Sequence, residues 1–154
     1  MWLGLLGVVC FAATLPMTLK CVTESLGVPH GVASFMLSVG ASINMDGTAL
    51  YQGVATVFIA QFYGIDLGIG QQLMVVLTAT MAALGTVGIP GAGVVMLLMV
   101  LTSVGVPPEG IGIILGVDRF LDMCRTVVNV TGDAVCAVVV ASTENQVRRA
   151  PTGE

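Results

Sequence analysis

Long apolar runs separated by short polar turns dominate the chain. Residues 2–19 are almost wholly apolar and meet a polar turn over residues 20–30, which carries Lys20, Glu24, Gly27 and Pro29 and suits water at a membrane boundary. Residues 31–63 are again apolar and long enough to cross a bilayer, but Asn44-Met45-Asp46-Gly47-Thr48 interrupts the middle with poor helix formers. A helix that unwinds there is predicted. At bilayer depth the freed carbonyls need protein or a hydrated cavity, and such breaks are how secondary transporters build cation sites. The plainer alternative is a kink in which Asp46 bonds to a neighbour.

After a polar turn at residues 64–70, two apolar arms at 71–84 and 94–104 flank Gly85-Thr86-Val87-Gly88-Ile89-Pro90-Gly91-Ala92-Gly93. At 1.5 Å per residue the arms reach roughly 20 and 17 Å, short of the ~30 Å hydrocarbon core. A re-entrant hairpin is therefore predicted rather than two spans. Its glycine-rich tip lets backbone approach a ligand, and the amides after Pro90 would suit a carboxylate, although any tight membrane turn uses the same residues. Pro107, Pro108 and Glu109 mark another aqueous turn, and one last helix is expected from Ile111 to about Ser142. Arg148 and Arg149 follow it, and by the positive-inside tendency they put the C-terminus in the cytoplasm.

Charge gathers in one apolar setting only, residues 118–133. On a helix turning 100° per residue, Asp118, Asp122, Arg125, Asn129 and Asp133 share an arc of roughly 80°, with Thr126 at its border. Each such charge costs about 2.5 to 3.5 kcal/mol at the centre of a membrane helix, so facing lipid the group would lose on the order of 10 kcal/mol. The cluster must face protein, water or ions. It is either a salt-bridge cluster that only holds helices together or a binding site, and intramembrane charge points to the second.

Composition agrees. Of 154 residues 56% are hydrophobic and 9% charged, and the mean hydropathy is +1.00, values that mark an integral membrane protein. Five cations and a net charge of −4 exclude a nucleic-acid partner. Cys10, Cys21, Cys124 and Cys136 form no CxxC pair and His30 is the sole histidine, so neither a disulfide framework nor a zinc site is indicated, and no cofactor is expected. Residues 1–13 lack the charged start of a signal peptide and are read as embedded and uncleaved. No Ser/His or Asp/Asp catalytic motif is present, so an enzyme is not expected.

Three motifs, Asn44-Met45-Asp46-Gly47-Thr48, Gly88-Ile89-Pro90-Gly91-Ala92-Gly93 and the run from Asp122-Met123-Cys124-Arg125-Thr126 to Asn129-Val130-Thr131-Gly132-Asp133, resemble in order the dicarboxylate/amino acid:cation symporters, the glutamate transporter family. The likeness covers residues 12–144 and looks strongest to prokaryotic sodium-coupled aspartate and glutamate members. It implies an all-α membrane fold, the C-terminal half of a mobile transport domain, in a family whose full-length members are homotrimers. Residues 1–30 would be a remnant of the first hairpin region, 31–63 the broken transmembrane helix, 64–110 the second hairpin with its turns, 111–143 the final transmembrane helix and 144–154 a cytoplasmic tail.

The resemblance also implies a site for an acidic amino acid. Asp122 would take the α-ammonium, Arg125 the side-chain carboxylate, and Thr48, Thr126, Asn129 and backbone at Ile89 and Gly93 the other polar groups, with Asp118 steadying the guanidinium. Sodium would be held by backbone at Gly40, Asn44 and Asn129 with Asp133, by Asn44 and Asp46 at another place, and by Ser42, Met45, Ala83, Leu84 and Thr86 beneath the hairpin. Neutral amino acid members lack a cation at Arg125 and dicarboxylate members lack an acid at Asp122. Gln52 stands where potassium-coupled animal relatives carry Glu. The family's serine-rich first hairpin tip has no counterpart in Val9-Cys10-Phe11-Ala12-Ala13. The expectation is thus a partial transporter in the plasma or inner membrane, or else a truncated chain that transports nothing and only associates with full-length relatives.

Overall fold

The structure is a computed structural model that describes residues 11–84 and 92–146. Among these there are helices and no strand: α1 Phe11–Glu24, α2 His30–Ile43, α3 Asp46–Phe62, α4 Ile69–Leu84, α5 Ala92–Ser103, a 3₁₀ turn Pro108–Gly110, α6 Ile111–Leu115 and α7 Asp118–Thr143. The expectations for residues 1–10, for the hairpin tip and for Arg148 and Arg149 fall outside the described residues. The fold is all-α, with a broken helix, a helical hairpin and a long final helix. Among the described residues only α7 is long and apolar enough to cross a membrane by itself.

The break lies at Asn44 and Met45, whose ψ angles of 64° and 54° leave the helical region. Asn44 N–H still reaches Gly40 O at 2.8 Å, but Gly47 N–H turns across to Asn129 Oδ1, also at 2.8 Å. The interruption therefore redirects backbone groups toward α7. The hairpin arms contain 16 and 12 residues, which at 1.5 Å each fall short of the hydrocarbon core.

Two boundaries differ from the sequence pattern. The polar turn opens later than Lys20, because α1 continues to Glu24 and sets Lys20 and Glu24 one turn apart, 4.0 Å between charges. The final helix is not one rod from Ile111: it breaks at Gly116 and Val117, where Val117 has φ −116° and ψ 0°, and restarts at Asp118. Gly116 weakens the helix there, and Asp118 in the new first turn complements its dipole. Gly64 and Gly105 close α3 and α5 with φ of 67° and 75°. Just past them Ile65 N–H bonds Ala60 O and Val106 N–H bonds Leu101 O, the six-to-one closure that a left-handed residue permits.

Helix α3 is central, packed on α4, α5 and α7, while α1 and α2 pack together and on α7. One apolar core joins Tyr51, Ala55 and Ile59 to Val75, Ala79, Leu97, Val100 and Leu101; a second joins Val22, Val28, Ala33 and Leu37 to Ala137 and Ala141. Large apolar side chains also cover the outside, including Phe35, Phe62, Leu73, Met81 and Phe120. Such a surface belongs against lipid or further protein rather than water.

Leu101 is fully buried between the hairpin and α3, whereas Leu73 is 66% exposed. Leu101→Ala should cost about 2 to 5 kcal/mol and visibly lower the melting temperature of the detergent-solubilised chain. Leu73→Ala should leave it nearly unchanged.

Candidate functional site

Helix α7 brings Arg125, Thr126, Asn129 and Asp133 to its buried face. The apolar positions of that face continue it as Ala137 and Ala141, small enough to admit α1 and α2. Arg125 is 7% exposed and Asp133 1%, so both charges lie inside the protein.

Arg125 is gripped on several sides. Its Nη2 forms an ion pair with Asp122, one helical turn earlier. Its guanidinium carbon stands 4.6 Å from the centroid of the Tyr51 ring, within reach of a cation–π attraction. Tyr51 donates its hydroxyl hydrogen to Asp118 Oδ1 at 3.1 Å. Asp118 thus contacts the residue whose ring faces Arg125. Gly93, at the start of α5, lies so close that a Cβ there would collide with Arg125 Nη1. Arg125 Nη1 itself is buried with no hydrogen-bond partner among the described residues.

Asn129 ties α7 to the break. Its Oδ1 accepts the Gly47 N–H and its Nδ2 approaches Thr48 Oγ1 at 3.4 Å. Asp133 sits against the end of α2. Its Oδ1 accepts Asn44 Nδ2 at 2.8 Å, while Oδ2 is buried without a partner among the described residues. Gly40 leaves the room: a Cβ on it would overlap the Asp133 carboxylate. Gly132 likewise faces Asn44 Nδ2 and Asp46 Oδ2, at 3.1 and 3.5 Å from a Cβ built there. An orphaned carboxylate oxygen beside the last turn of a helix, in a cradle kept open by glycine, is a donor set suited to a hard cation.

The sequence-predicted residues thus fall into groups. Asp122, Arg125 and Gly93 come together, as do Thr48 with Asn129, and Gly40, Asn44 and Asp133. Asp46 borders Gly132 but is exposed. Of the third predicted ion set, Met45 and Ala83 pack in one small cluster, while Ser42 and Leu84 are exposed. Thr126 is buried beside Arg125. Ile89 and Thr86 lie outside the described residues. Tyr51 and the two glycines Gly47 and Gly132 are missing from the sequence-based set. Tyr51 sits one turn beyond Thr48 on the broken helix, a spacing that would have placed an aromatic ring on the same side.

The model of the sodium:dicarboxylate symporter family matches residues 11–143. The chain belongs to that family. It is 50% identical over 139 residues to an excitatory amino acid transporter of Caenorhabditis elegans, covering 90% of this chain and 28% of that protein. It is equally 50% identical over 139 residues to human excitatory amino acid transporter 2, covering 90% and 24%. Rat excitatory amino acid transporter 1 is 50% identical over 135 residues, 88% and 25%. The chain spans about a quarter of the length of these relatives. All three are animal proteins. Membership of this symporter family agrees with the all-α fold and the apolar exterior, and it makes the chain a membrane protein.

Tyr51 has two separable contacts. Tyr51→Phe keeps the ring under Arg125 and loses only the bond to Asp118, so it should cost about 0.5 to 1.5 kcal/mol of stability. Tyr51→Leu removes the ring as well and should cost more, in a thermal unfolding series run on both variants.

Proposed function

We propose that this chain is the substrate- and ion-binding part of a sodium-coupled symporter for an acidic amino acid. The observation that carries the proposal is the Arg125–Asp122 pair, a buried cation and a half-buried anion at adjoining positions of a single helix face, walled by Tyr51 and Gly93. An acidic amino acid carries the complementary set: an ammonium for Asp122 and a carboxylate for the planar guanidinium, whose fork favours two-point binding. By entering, it exchanges one ion pair for two. Thr48, Thr126, Asn129 and backbone at Gly93 and Ile89 supply the remaining hydrogen bonds. The relatives are named excitatory amino acid transporters, which supports this substrate class.

Sodium enters as co-substrate. The unpartnered Asp133 Oδ2, the Asn44 amide and backbone at Gly40, Asn44 and Asn129 form the first place for it. Asn44 with Asp46 form the second, and Ser42, Met45, Ala83, Leu84 and Thr86 the third. Asn129 belongs to both the substrate group and the first ion group, so that filling one orders a residue of the other. Residues 1–30, 31–63, 64–110 and 111–143 would then act as one partial transport domain, with 144–154 a cytoplasmic tail and full-length assemblies forming homotrimers.

Binding of radiolabelled aspartate to the purified chain in lipid nanodiscs tests this. Binding should require sodium, and Arg125→Gln should weaken it about 10- to 100-fold, the worth of a charge-assisted hydrogen bond. Sodium alone should raise the melting temperature, since a ligand of the folded state stabilises it by mass action, and Asp133→Asn should abolish that rise. Aspartate binding that ignores Arg125→Gln would sink the substrate assignment. A chain that binds neither sodium nor aspartate would favour the association-only reading.

A further inference from the structure

Gln52 and Thr56 are both 0% exposed, and neither has a use in the site above. Three of their polar atoms, Gln52 Nε2, Gln52 Oε1 and Thr56 Oγ1, are buried with no hydrogen-bond partner among the described residues. Orphans of this kind are rare in folded proteins, and a bound water or ion is one account of those that persist.

Among the described residues, the buried surroundings offer no polar side chain in their place. Thr48, Gln52 and Thr56 follow one another at i, i+4 and i+8 on α3, inside an arc of about 80°. On one side of that arc lies Gly47, against Arg125 O and Asn129 of α7. On the other lies Ala60, which lines a groove with Val75 and Ala79 of α4. The stripe between them faces the hairpin. The buried positions there are Val75, Ala79 and Ala83 on α4 and Gly93, Leu97, Val100 and Leu101 on α5, none with a polar side chain.

We propose that Gln52 and Thr56 bind ordered water between α3 and the hairpin, so that the polar site at Thr48 continues as a hydrated track roughly 12 Å into the apolar core. The stripe has an amide oxygen, an amide NH₂ and a hydroxyl, which are the two to four partners of mixed sign that a buried water needs. A cation fits worse, because the NH₂ presents positive hydrogens and the stripe holds no carboxylate. With water already there, the apolar wall of α5 can part from α3 without stripping Gln52 and Thr56 of their partners.

X-ray hydroxyl-radical footprinting of the chain in lipid nanodiscs reads bound water directly, since radiolysis of an internal water oxidises the side chains beside it. Oxidation should appear at Leu97 or Leu101 despite their burial and should be lost in Gln52→Met/Thr56→Val, which keep the side-chain volumes. Silence at both leucines in the unsubstituted chain, or oxidation that the double substitution leaves unchanged, would overturn the proposal. Thr56→Val alone gives an independent check. Removing a dry orphan hydroxyl leaves the melting temperature unchanged or raises it, whereas removing a water ligand lowers it. A potassium- or sodium-dependent rise in melting temperature that Thr56→Val abolishes would assign a cation instead and equally overturn it. None of these outcomes depends on aspartate binding.

Discussion

Two ionisable side chains, Arg125 and Asp133, buried in the interior set the terms for everything around them. A buried charge is tolerated only when it is paired and hydrogen-bonded, and the structure meets that demand unequally at its two ends. Arg125 has the Asp122 carboxylate, the face of Tyr51 and the nearby backbone of Gly93. A guanidinium, weakly hydrated and planar, accepts an aromatic face better than an ammonium would. Asp133 has only the Asn44 amide on one oxygen, and its other oxygen is bare. The Arg125 side chain is held on several sides, while the Asp133 carboxylate is satisfied at one oxygen.

Meeting those demands requires backbone to come very near side chains, and glycine makes that possible. Gly40 makes room for the Asp133 carboxylate, Gly47 for Arg125 O and Asn129, and Gly93 for the guanidinium. The break at Asn44 and Met45 does the rest. It aims the Asn44 side chain at Asp133 and the Gly47 N–H at Asn129. Because one interruption serves both residues, the Asp133 end and the Asn129 end of the buried α7 face share a support. A shift of α2 against α3 must be felt by Asn129 and Asp133 together.

The hairpin contributes differently. Its arms bring an almost wholly apolar face to α3, and that face meets Tyr51, Ala55 and Ile59 well but, among the described residues, gives Gln52 and Thr56 no hydrogen-bond partner. Close packing of the first three and orphaned polar groups at the other two occupy the same helix, within one or two turns of Arg125 contacts. Rigidity and a wet seam thus lie side by side beside the site.

Much of this was legible in the chain. The 3.6-residue spacing of Asp118, Asp122, Arg125, Asn129 and Asp133 put them on one face, and the cost of charge in an apolar run made that face internal. Asn44 to Thr48 announced a break, and two short arms around a glycine-rich tip announced a hairpin. Local propensity and periodicity settle such features because each depends on neighbours within a few residues. Which groups meet across elements was decided by tertiary packing. Nothing in the local pattern separates Tyr51 from any other core aromatic, aims Asn44 at Asp133, or leaves Gln52 unpartnered while Asn129 finds Thr48. Nor does it stop the last helix at Gly116, where a glycine tolerated in many helices meets a restart anchored by Asp118 on Tyr51. Those contacts join residues 67 to 89 positions apart, and only the relative placement of α2, α3, α5 and α7 determines them.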